Sequence, residues 1–180
     1  HGVFRRQRQM CIRDRSESGL NGNDDFGTAI SISNDGNTLA VGARNADLAD
    51  GAVGAQSGLV FMYHWTGSAW GTPYKLQYDE TTDEDFGISV ELSGDGKRLI
   101  VGAYAENSSA GELFTFEYTG TSWIRRTTGV IGANGGAGGH LGYGPDADAH
   151  AVAISRDGST IVGGELGYDG NGLSNSGRVR

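Results

Sequence analysis

The chain of 180 residues contains one cysteine and two prolines, and it has no long apolar run. Cys11 alone cannot form an intramolecular disulfide or a zinc site built on several thiolates. No stretch approaches the roughly 20 apolar residues that a membrane-spanning helix needs. With so little proline the turns must depend on glycine, whose 32 residues indicate many short strands rather than long helices.

Residues 1–15 differ from the remainder of the chain. They contain five arginines and one aspartate, show neither strand nor helix periodicity, and lack the apolar stretch of a signal peptide. The stretch RQMCIRDRS resembles translated sequencing-adaptor read-through, so we interpret residues 1–15 as non-native. The alternative is a native basic arm that binds nucleic acid or acidic lipid, although no aromatic residue lies among the arginines to stack on bases.

Residues 16–180 are strongly acidic. They contain nine basic and 21 acidic residues, which gives a formal charge of −12 instead of −8 for the whole chain. Such a surface repels nucleic acid and anionic membranes, so neither is an expected partner. Without Cys11 these residues also have no thiol nucleophile, and cysteine content does not indicate a redox compartment.

An internal repeat occupies most of the chain. Residues 24–43 and 84–103 are identical at ten of twenty positions, and a third, more divergent copy spans 148–164. In that third copy Asp148 and Ala149 align with the earlier Phe-Gly pairs. A period of about 60 residues indicates a repeat architecture in which each copy is one supersecondary unit.

Each unit is predicted to contain two hairpins. In the first unit, strands at 28–33 and 38–43 flank the turn NDGN, and strands at 59–65 and 69–77 flank Thr66-Gly67-Ser68. Gly58–Trp70 aligns with Gly111–Trp123, and GRVR from Gly177 opens a third copy. Four strands in about 60 residues make one propeller blade. The predicted fold is therefore an all-β partial β-propeller of about two and a half antiparallel blades, near 21–82, 83–145 and 146–180.

Aromatic residues mark one face of the third strand of each unit. Large side chains recur in register at alternate positions, namely Phe61, Tyr63 and Trp65 and then Phe114, Phe116 and Tyr118. This recurrence favours packing between blades over the alternative of a cofactor box. Gly42 and Gly102 lie in the second strands, where we expect a neighbouring backbone to approach closely.

The repeated residues resemble a known family. Phe-Gly after an acidic pair, Ser-x-Asp-Gly, Val-Gly-Ala, a variable loop and Gly-x-Val-Phe followed by Trp together look like the FG-GAP repeats of the integrin-alpha-like β-propeller superfamily. The resemblance covers Asn21 to Arg180. It implies a non-catalytic interaction or adhesion module, at the cell surface or outside the cell, that contacts proteins or glycans through its loops.

Calcium is the cofactor that the resemblance raises, because integrin-type repeats ligate it through Asp-rich loops. Each hairpin turn here has a single carboxylate, from Asp35, Asp95 or Asp157, whereas calcium takes six to eight oxygens. Asp169–Leu173 comes closer, but Leu173 occupies the place of the third ligand. The sequence therefore predicts no cofactor and no metal site in these loops.

Two further stretches invite a binding site. Asp146, Asp148 and His150 would share one face of a strand and could hold a transition metal, although no fourth ligand is identifiable. The alternative is a degraded entry to the third unit. The glycine-rich stretch 129–144 matches neither phosphate-binding spacing and is predicted to be an inserted loop between the second and third units.

No catalytic set emerges from the sequence. His64 aligns with Glu117, and no serine lies in a Gly-x-Ser-x-Gly elbow. The prediction is therefore not an enzyme. Two alternatives stay open: a propeller lyase or hydrolase whose site lies in missing blades, and a WD-like or YVTN-like propeller, whose blade of about 40–45 residues is shorter than this repeat.

The resemblance implies six or seven units in a closed ring, so the chain is expected to be a fragment. In an open array the aromatic faces from Phe61 to Tyr118 would be uncovered. We therefore expect residues 16–180 alone to self-associate.

Overall fold

The computed structural model describes residue 20 and residues 22–46, 57–77, 85–103, 110–126, 130–131, 140–143, 151–169 and 176–180. Within these ranges the protein is all-β. No helix in the described ranges is long and apolar enough to cross a membrane. Residues 1–15 lie outside them, as does the proposed metal triplet Asp146, Asp148 and His150.

Three antiparallel sheets follow one another along the chain. Sheet one contains β1 (Phe26–Ile32), β2 (Thr38–Ala43), β3 (Leu59–His64) and β4 (Tyr74–Leu76). Sheet two contains β5 (Ser89–Leu92), β6 (Arg98–Ala103), β7 (Glu112–Tyr118) and β8 (Trp123–Arg125), with β9 (Val130–Ile131) paired to β7. Sheet three contains β10 (Val152–Ile154), β11 (Ile161–Glu165) and β12 (Arg178–Val179).

Each sheet pairs its main strands in the order in which they occur in the sequence. The register repeats between units, since Leu39 pairs with Tyr63 in sheet one and Leu99 pairs with Phe116 in sheet two. The predicted hairpins of these two sheets are confirmed, although β4 and β8 are shorter than expected. No strand pairing among the described residues joins one sheet to the next.

The largest core lies between sheets one and two. Alternation along the strands turns Ala40, Val60 and Met62 of sheet one toward sheet two. Sheet two meets them with larger side chains, among them Phe86 and Phe114. The prediction that the aromatic face of the second unit packs between sheets is therefore confirmed.

A smaller core lies between sheets two and three. Ile100 and Leu113 of sheet two pack against Val152 and Leu141, which are all nearly or fully buried. Strand β10 contacts β5 and β6, as β5 contacts β1 and β2, so the same face of each successive sheet meets its predecessor.

The expectation that the aromatic faces would be uncovered is wrong for the third strands. Phe61, Tyr63 and Phe114 have no exposed surface, and of the six aromatics only Trp65 is exposed, at 38%. Phe61 and Tyr63 are buried in a cluster that includes Ala46, with Leu20 packed against it.

Backbone approaches closely at the predicted glycines of the second strands. A Cβ added at Gly42 would overlap the carbonyl oxygen of Gly87, and one added at Gly102 would lie 2.9 Å from that of Gly142. In each case the neighbour belongs to the next sheet. The expected role of Gly42 and Gly102 is thus confirmed.

Candidate interaction surface

The sheets have two different ends. At the turn end, residues 33–37, 93–97 and 155–160 reverse the chain between the first and second strands of the three sheets. At the loop end, residues 44–58, 104–111 and 166–177 connect the second strand to the third, and these connections differ in length. The framework therefore stays constant while the loop end varies.

The turn end is built from three copies of one hydrogen-bonded turn. In the first copy, Ser33 Oγ donates to Asp35 Oδ1 over 2.6 Å and accepts from the backbone N–H of Thr38 over 2.9 Å. Asp35 Oδ1 also accepts from the N–H of Asn37, and Gly36 has a φ of 72°. The same pattern recurs around Ser93 and Ser155, so the Ser-x-Asp-Gly motif encodes the turn itself.

These hydrogen bonds stabilise the ionised carboxylates. The Ser33 hydroxyl and the N–H of Asn37 hold the pKa of Asp35 below its usual value, and Ser93 is the main cause of a lowered pKa at Asp95. Ser155, followed by Ser159, lowers the pKa of Asp157 to about 2. The turn carboxylates are thus engaged within their own turns, which accounts for their recurrence.

The three turns also bond to one another. The N–H of Asn34 donates to the carbonyl of Gly94 over 3.0 Å, and the N–H of Gly94 donates to the carbonyl of Arg156 over 2.8 Å. With its amide oxygen facing Arg156, Asn34 accepts from that guanidinium at 2.7 Å and 3.1 Å. Gly94 suits this crossing because a Cβ there would crowd both neighbours. Hydrogen bonds therefore connect the three turns into one continuous rim.

At the loop end each unit begins with a second kind of turn. Asp25 and Asp85 adopt positive φ values of 52° and 51°, a conformation that aspartate tolerates better than most residues. The carbonyl of each accepts from the N–H three residues later, and Gly27 and Gly87 follow with φ near 100° and 92°. The acidic residue and the glycine of the motif therefore specify this turn, which we call the Phe-Gly turn.

The third Phe-Gly turn lies earlier than the sequence alignment placed it. His140 has a φ of 52°, Gly142 has a φ of 83°, and the N–H of Tyr143 donates to the carbonyl of His140. Leu141 bridges to Glu165 as Phe26 pairs with Ala43. The alignment of Asp148 and Ala149 with Phe-Gly is therefore wrong, because His140, Leu141 and Gly142 supply that turn.

The glycine-rich stretch 129–144 is accordingly not one simple loop. Val130 and Ile131 form β9 beside β7, and residues 140–143 belong to the Phe-Gly turn of sheet three. Residues 132–139 lie outside the described ranges. The extra length of the third unit falls partly after the turn, at residues 144–150, which also lie outside the described ranges.

Two buried carboxylates lie where the strands reach the loop end. Glu165 is 1% exposed and accepts from Nε of Arg178 over 2.7 Å, with Nε of Arg180 at 3.3 Å. Glu112 is 5% exposed and lies 3.5 Å from an Nη of Arg125. These charges are paired, as burial requires. Sequence reasoning missed both, since the first unit carries Ala43 and Leu59 at the corresponding pair.

His64 contacts sheet two instead of facing solvent freely. Its ring centroid lies 4.6 Å from that of Tyr118 and 6.3 Å from that of Trp123, and Nδ1 is 3.4 Å from the hydroxyl oxygen of Thr38. Burial lowers its pKa. Its Nε2 is buried without a hydrogen-bond partner among the described residues. The contacts assign His64 to packing between the sheets.

No group of three or more His, Cys, Asp or Glu side chains that could hold a metal ion occurs within the described ranges. Residues 170–175, which include Asn171 and Leu173 of the other candidate calcium loop, lie outside those ranges.

No protein-family model matches the chain, and a search of curated proteins finds no match.

Proposed function

We propose that the chain forms blades of an FG-GAP-type β-propeller and serves as a non-catalytic binding module, with proteins or glycans as partners. Repetition of the Phe-Gly turn, the Ser-x-Asp-Gly turn and the sheet register supports the propeller arrangement. Contacts between the innermost strands, β1 with β5 and β5 with β10, support it as well.

The observation that carries the proposed function is the contrast between the two ends of the sheets. Connections that differ in length on a constant framework are typical of binding surfaces, because loops tolerate change while the scaffold holds them in place. All three connections of this kind lie at the loop end. The carboxylates of the three turns at the turn end, by contrast, accept hydrogen bonds from their own turns.

The loop end already shows charges fixed in place. Asp25 Oδ2 accepts from Nε of Arg44 and from the side-chain amide of Asn45, each over 2.9 Å. The bond to Asp25 is the main cause of the raised pKa of Arg44. About two-fifths of the side-chain surface of Asp25 and Arg44 is exposed, so a polar partner could reach the pair.

The proposed localisation, extracellular or at the cell surface, follows from the resemblance to FG-GAP repeats.

Binding to arrayed glycans and extracellular proteins would test the proposal. The loop variant replaces residues 44–57 by the shorter segment 104–110, which exchanges one natural connection for another. The control variant, Lys97→Ala, changes an exposed residue of the turn end. We expect a ligand that the parent chain and Lys97→Ala bind equally and that the loop variant binds at least tenfold more weakly.

Two results would count against the proposal. Loss of binding in Lys97→Ala but not in the loop variant would place the binding surface at the wrong end. Cleavage of an arrayed glycan by the parent chain would favour the lyase or hydrolase alternative, since a binding module leaves its ligand intact.

A further inference from the structure

The contact between sheets one and two uses a plug and a socket. The plug is the backbone of Phe86 and Gly87, and the socket is formed by Gly42 and Gly58. A Cβ added at either socket glycine would overlap plug backbone, and the N–H of Phe86 donates to the carbonyl of Ser57 over 3.1 Å. Only glycine leaves space for this approach.

The contact between sheets two and three repeats the arrangement. Here the plug is Leu141 with Gly142, and the socket is Gly102 with Gly111. A Cβ added at Gly111 would overlap the backbone of Leu141, whose N–H donates to the carbonyl of Ala110 over 3.0 Å. Both contacts therefore share the same features: two socket glycines, plug backbone packed against them, and a hydrogen bond from a plug N–H to the carbonyl before the second glycine.

Sheet one carries a plug that has no socket among the described residues. A Cβ added at Gly27 meets no described atom within 4 Å, whereas Gly87 and Gly142 are closely packed. Beside this turn, Ile30 is 61% and Ile32 is 57% exposed. Their counterparts are buried against the preceding sheet: Val90 is 1%, Leu92 is 6% and Val152 is 4% exposed.

Sheet three carries the matching socket. The nearest described atoms to a Cβ added at Gly164 or Gly177 are carbonyl oxygens of sheet three itself, at 3.7 Å and 3.6 Å. The corresponding glycines of sheets one and two are covered by a plug. Val179 is 71% exposed, although its counterparts Val60 and Leu113 are 0% and 1% exposed.

We propose that the plug of one copy of this chain docks into the socket of a second copy. Phe26 and Gly27 would then lie against Gly164 and Gly177, with Ile30 and Ile32 beside Val179. The second copy is the occupant because the chain presents both halves of an interface that it already forms twice internally. This proposal depends on the repeated contacts and not on the ligand of the loop end.

The docking area is confined to the inner part of each sheet. Phe61 and Tyr63, farther out on the same face as the plug, are already buried within sheet one's own cluster. The plug itself is preformed, because the ring of Phe26 packs edge-on against Phe61 at 5.3 Å, as Phe86 packs against Phe114 at 5.6 Å. Its backbone can therefore meet a second copy without rearrangement of the ring.

Plug and socket are different surfaces, so the contact is heterologous: copies join head to tail and either close into a ring or extend. This predicts a specific mixing behaviour. Ile30→Asp damages only the plug, and Val179→Asp damages only the socket. Each variant alone can form the contact only through a damaged half, but a mixture of the two variants retains one intact plug and one intact socket.

Sedimentation of the full chain, over a range of concentrations, tests the proposal. We expect the parent chain to self-associate, each single variant to do so at least tenfold more weakly, and the mixture to give a complex of two copies. Ile124→Asp, on β8 and 38% exposed, is the matched control and should associate like the parent. Circular dichroism checks that each variant is folded, and Ile30→Thr replaces any Ile30→Asp protein that is not.

A parent chain that remains a monomer at every concentration would overturn the proposal. So would single variants that associate like the parent, or a mixture that does not recover association. Equal weakening by Ile124→Asp would show that association is non-specific and would overturn it as well.

Discussion

The two contacts between sheets differ in which sheet supplies the larger side chains. Between sheets one and two, the preceding sheet offers the small residues Ala40 and Val60, and the following sheet supplies the rings of Phe86 and Phe114. Between sheets two and three, the preceding sheet offers the larger Ile100 and Leu113, and the following sheet has Leu141 where a phenylalanine stood.

Gly163 shows most clearly that large and small residues have changed places between the facing sheets. Gly163 occupies the position of Val41 and Val101, and a Cβ there would lie 2.5 Å from Cδ1 of Leu113. Leu113 therefore fills space that a valine fills in the other units. A larger side chain on one sheet thus faces a smaller residue on the next, as expected where close packing limits the volume available to both. Repeats can then diverge, provided that facing residues change together.

Gly42→Val should have the largest effect on stability. The added carbons would overlap backbone atoms of Gly87, which cannot swing aside as a side chain can. Sheets one and two would have to separate, so we expect the free energy of unfolding to fall by more than about 4 kcal/mol. Urea unfolding monitored by circular dichroism measures it. Gly164→Val, which meets only one described atom at 3.7 Å, should cost less than about 1 kcal/mol.

Leu113→Ala should produce the next largest effect. Leu113 is 1% exposed and packs against Gly163 and Leu141, so the truncation leaves a cavity in the second contact. We expect a loss of about 2–5 kcal/mol. Val130→Ala, at a 37% exposed position, should change stability by no more than about 0.5 kcal/mol. Similar losses in both variants would contradict the assigned core.

Ser93→Ala should destabilise more than Ser155→Ala. Ser93 is fully buried, so its removal takes the side-chain acceptor from the N–H of Arg98 and leaves Asp95 Oδ1 with the N–H of Lys97 alone. A buried unsatisfied group costs about 1–3 kcal/mol. Ser155 is partly exposed, and water can replace its hydroxyl. Chemical denaturation of the two variants measures the order. A larger loss for Ser155→Ala would contradict the argument that burial makes the Ser93 hydroxyl harder to replace.

Gly163→Ala tests whether residue 163 and Leu113 compete for the same space. In the parent chain the new methyl group should crowd Leu113, but in a Leu113→Ala background it should be harmless or stabilising. We expect a coupling free energy of about 1 kcal/mol between the two substitutions. A double-mutant cycle measures it. Strict additivity would mean that the two positions do not share one space.

The smallest expected effect is the pH dependence of stability that arises from His64, between sheets one and two. Burial lowers the pKa of His64, so the unfolded chain binds a proton more readily than the folded one. The resulting stability is present above the unfolded pKa of about 6.5 and decreases as pH falls below it. Thermal unfolding between about pH 7 and 5 should show this decrease, and His64→Phe should reduce it. An identical pH dependence in that variant would contradict the prediction.

The sequence predicted features that depend on local rules. Strand alternation located the hairpins, and glycine inside a strand located the close approaches at Gly42 and Gly102. Features that depend on substitution by a different residue were missed. His140 replaces aspartate in the third Phe-Gly turn, and Leu141 replaces phenylalanine. A polar residue followed by Leu-Gly was the available signal, but an ungapped alignment concealed it.

The buried ion pairs could not be predicted for a related reason. Arg178 and Glu165 replace an apolar pair of the first unit, and nothing local distinguishes them from exposed surface charges. Their burial results from how the sheets pack, which periodicity does not encode. Of the candidate surface, the sequence indicated variable loops on one face of the fold, and only the structure showed which residues flank them there.

The added length after Gly142 has a practical consequence for engineering. In the first two units the Phe-Gly turn leads at once into its strand, whereas residues 144–151 separate the two in the third. Leu141 nevertheless bonds to the carbonyl of Ala110, and Val152 still pairs with Gly163. Turn and strand are thus held independently, and the junction after the turn is a natural grafting point. A foreign epitope inserted after Ile88 would occupy the position at which the third unit already accommodates added residues.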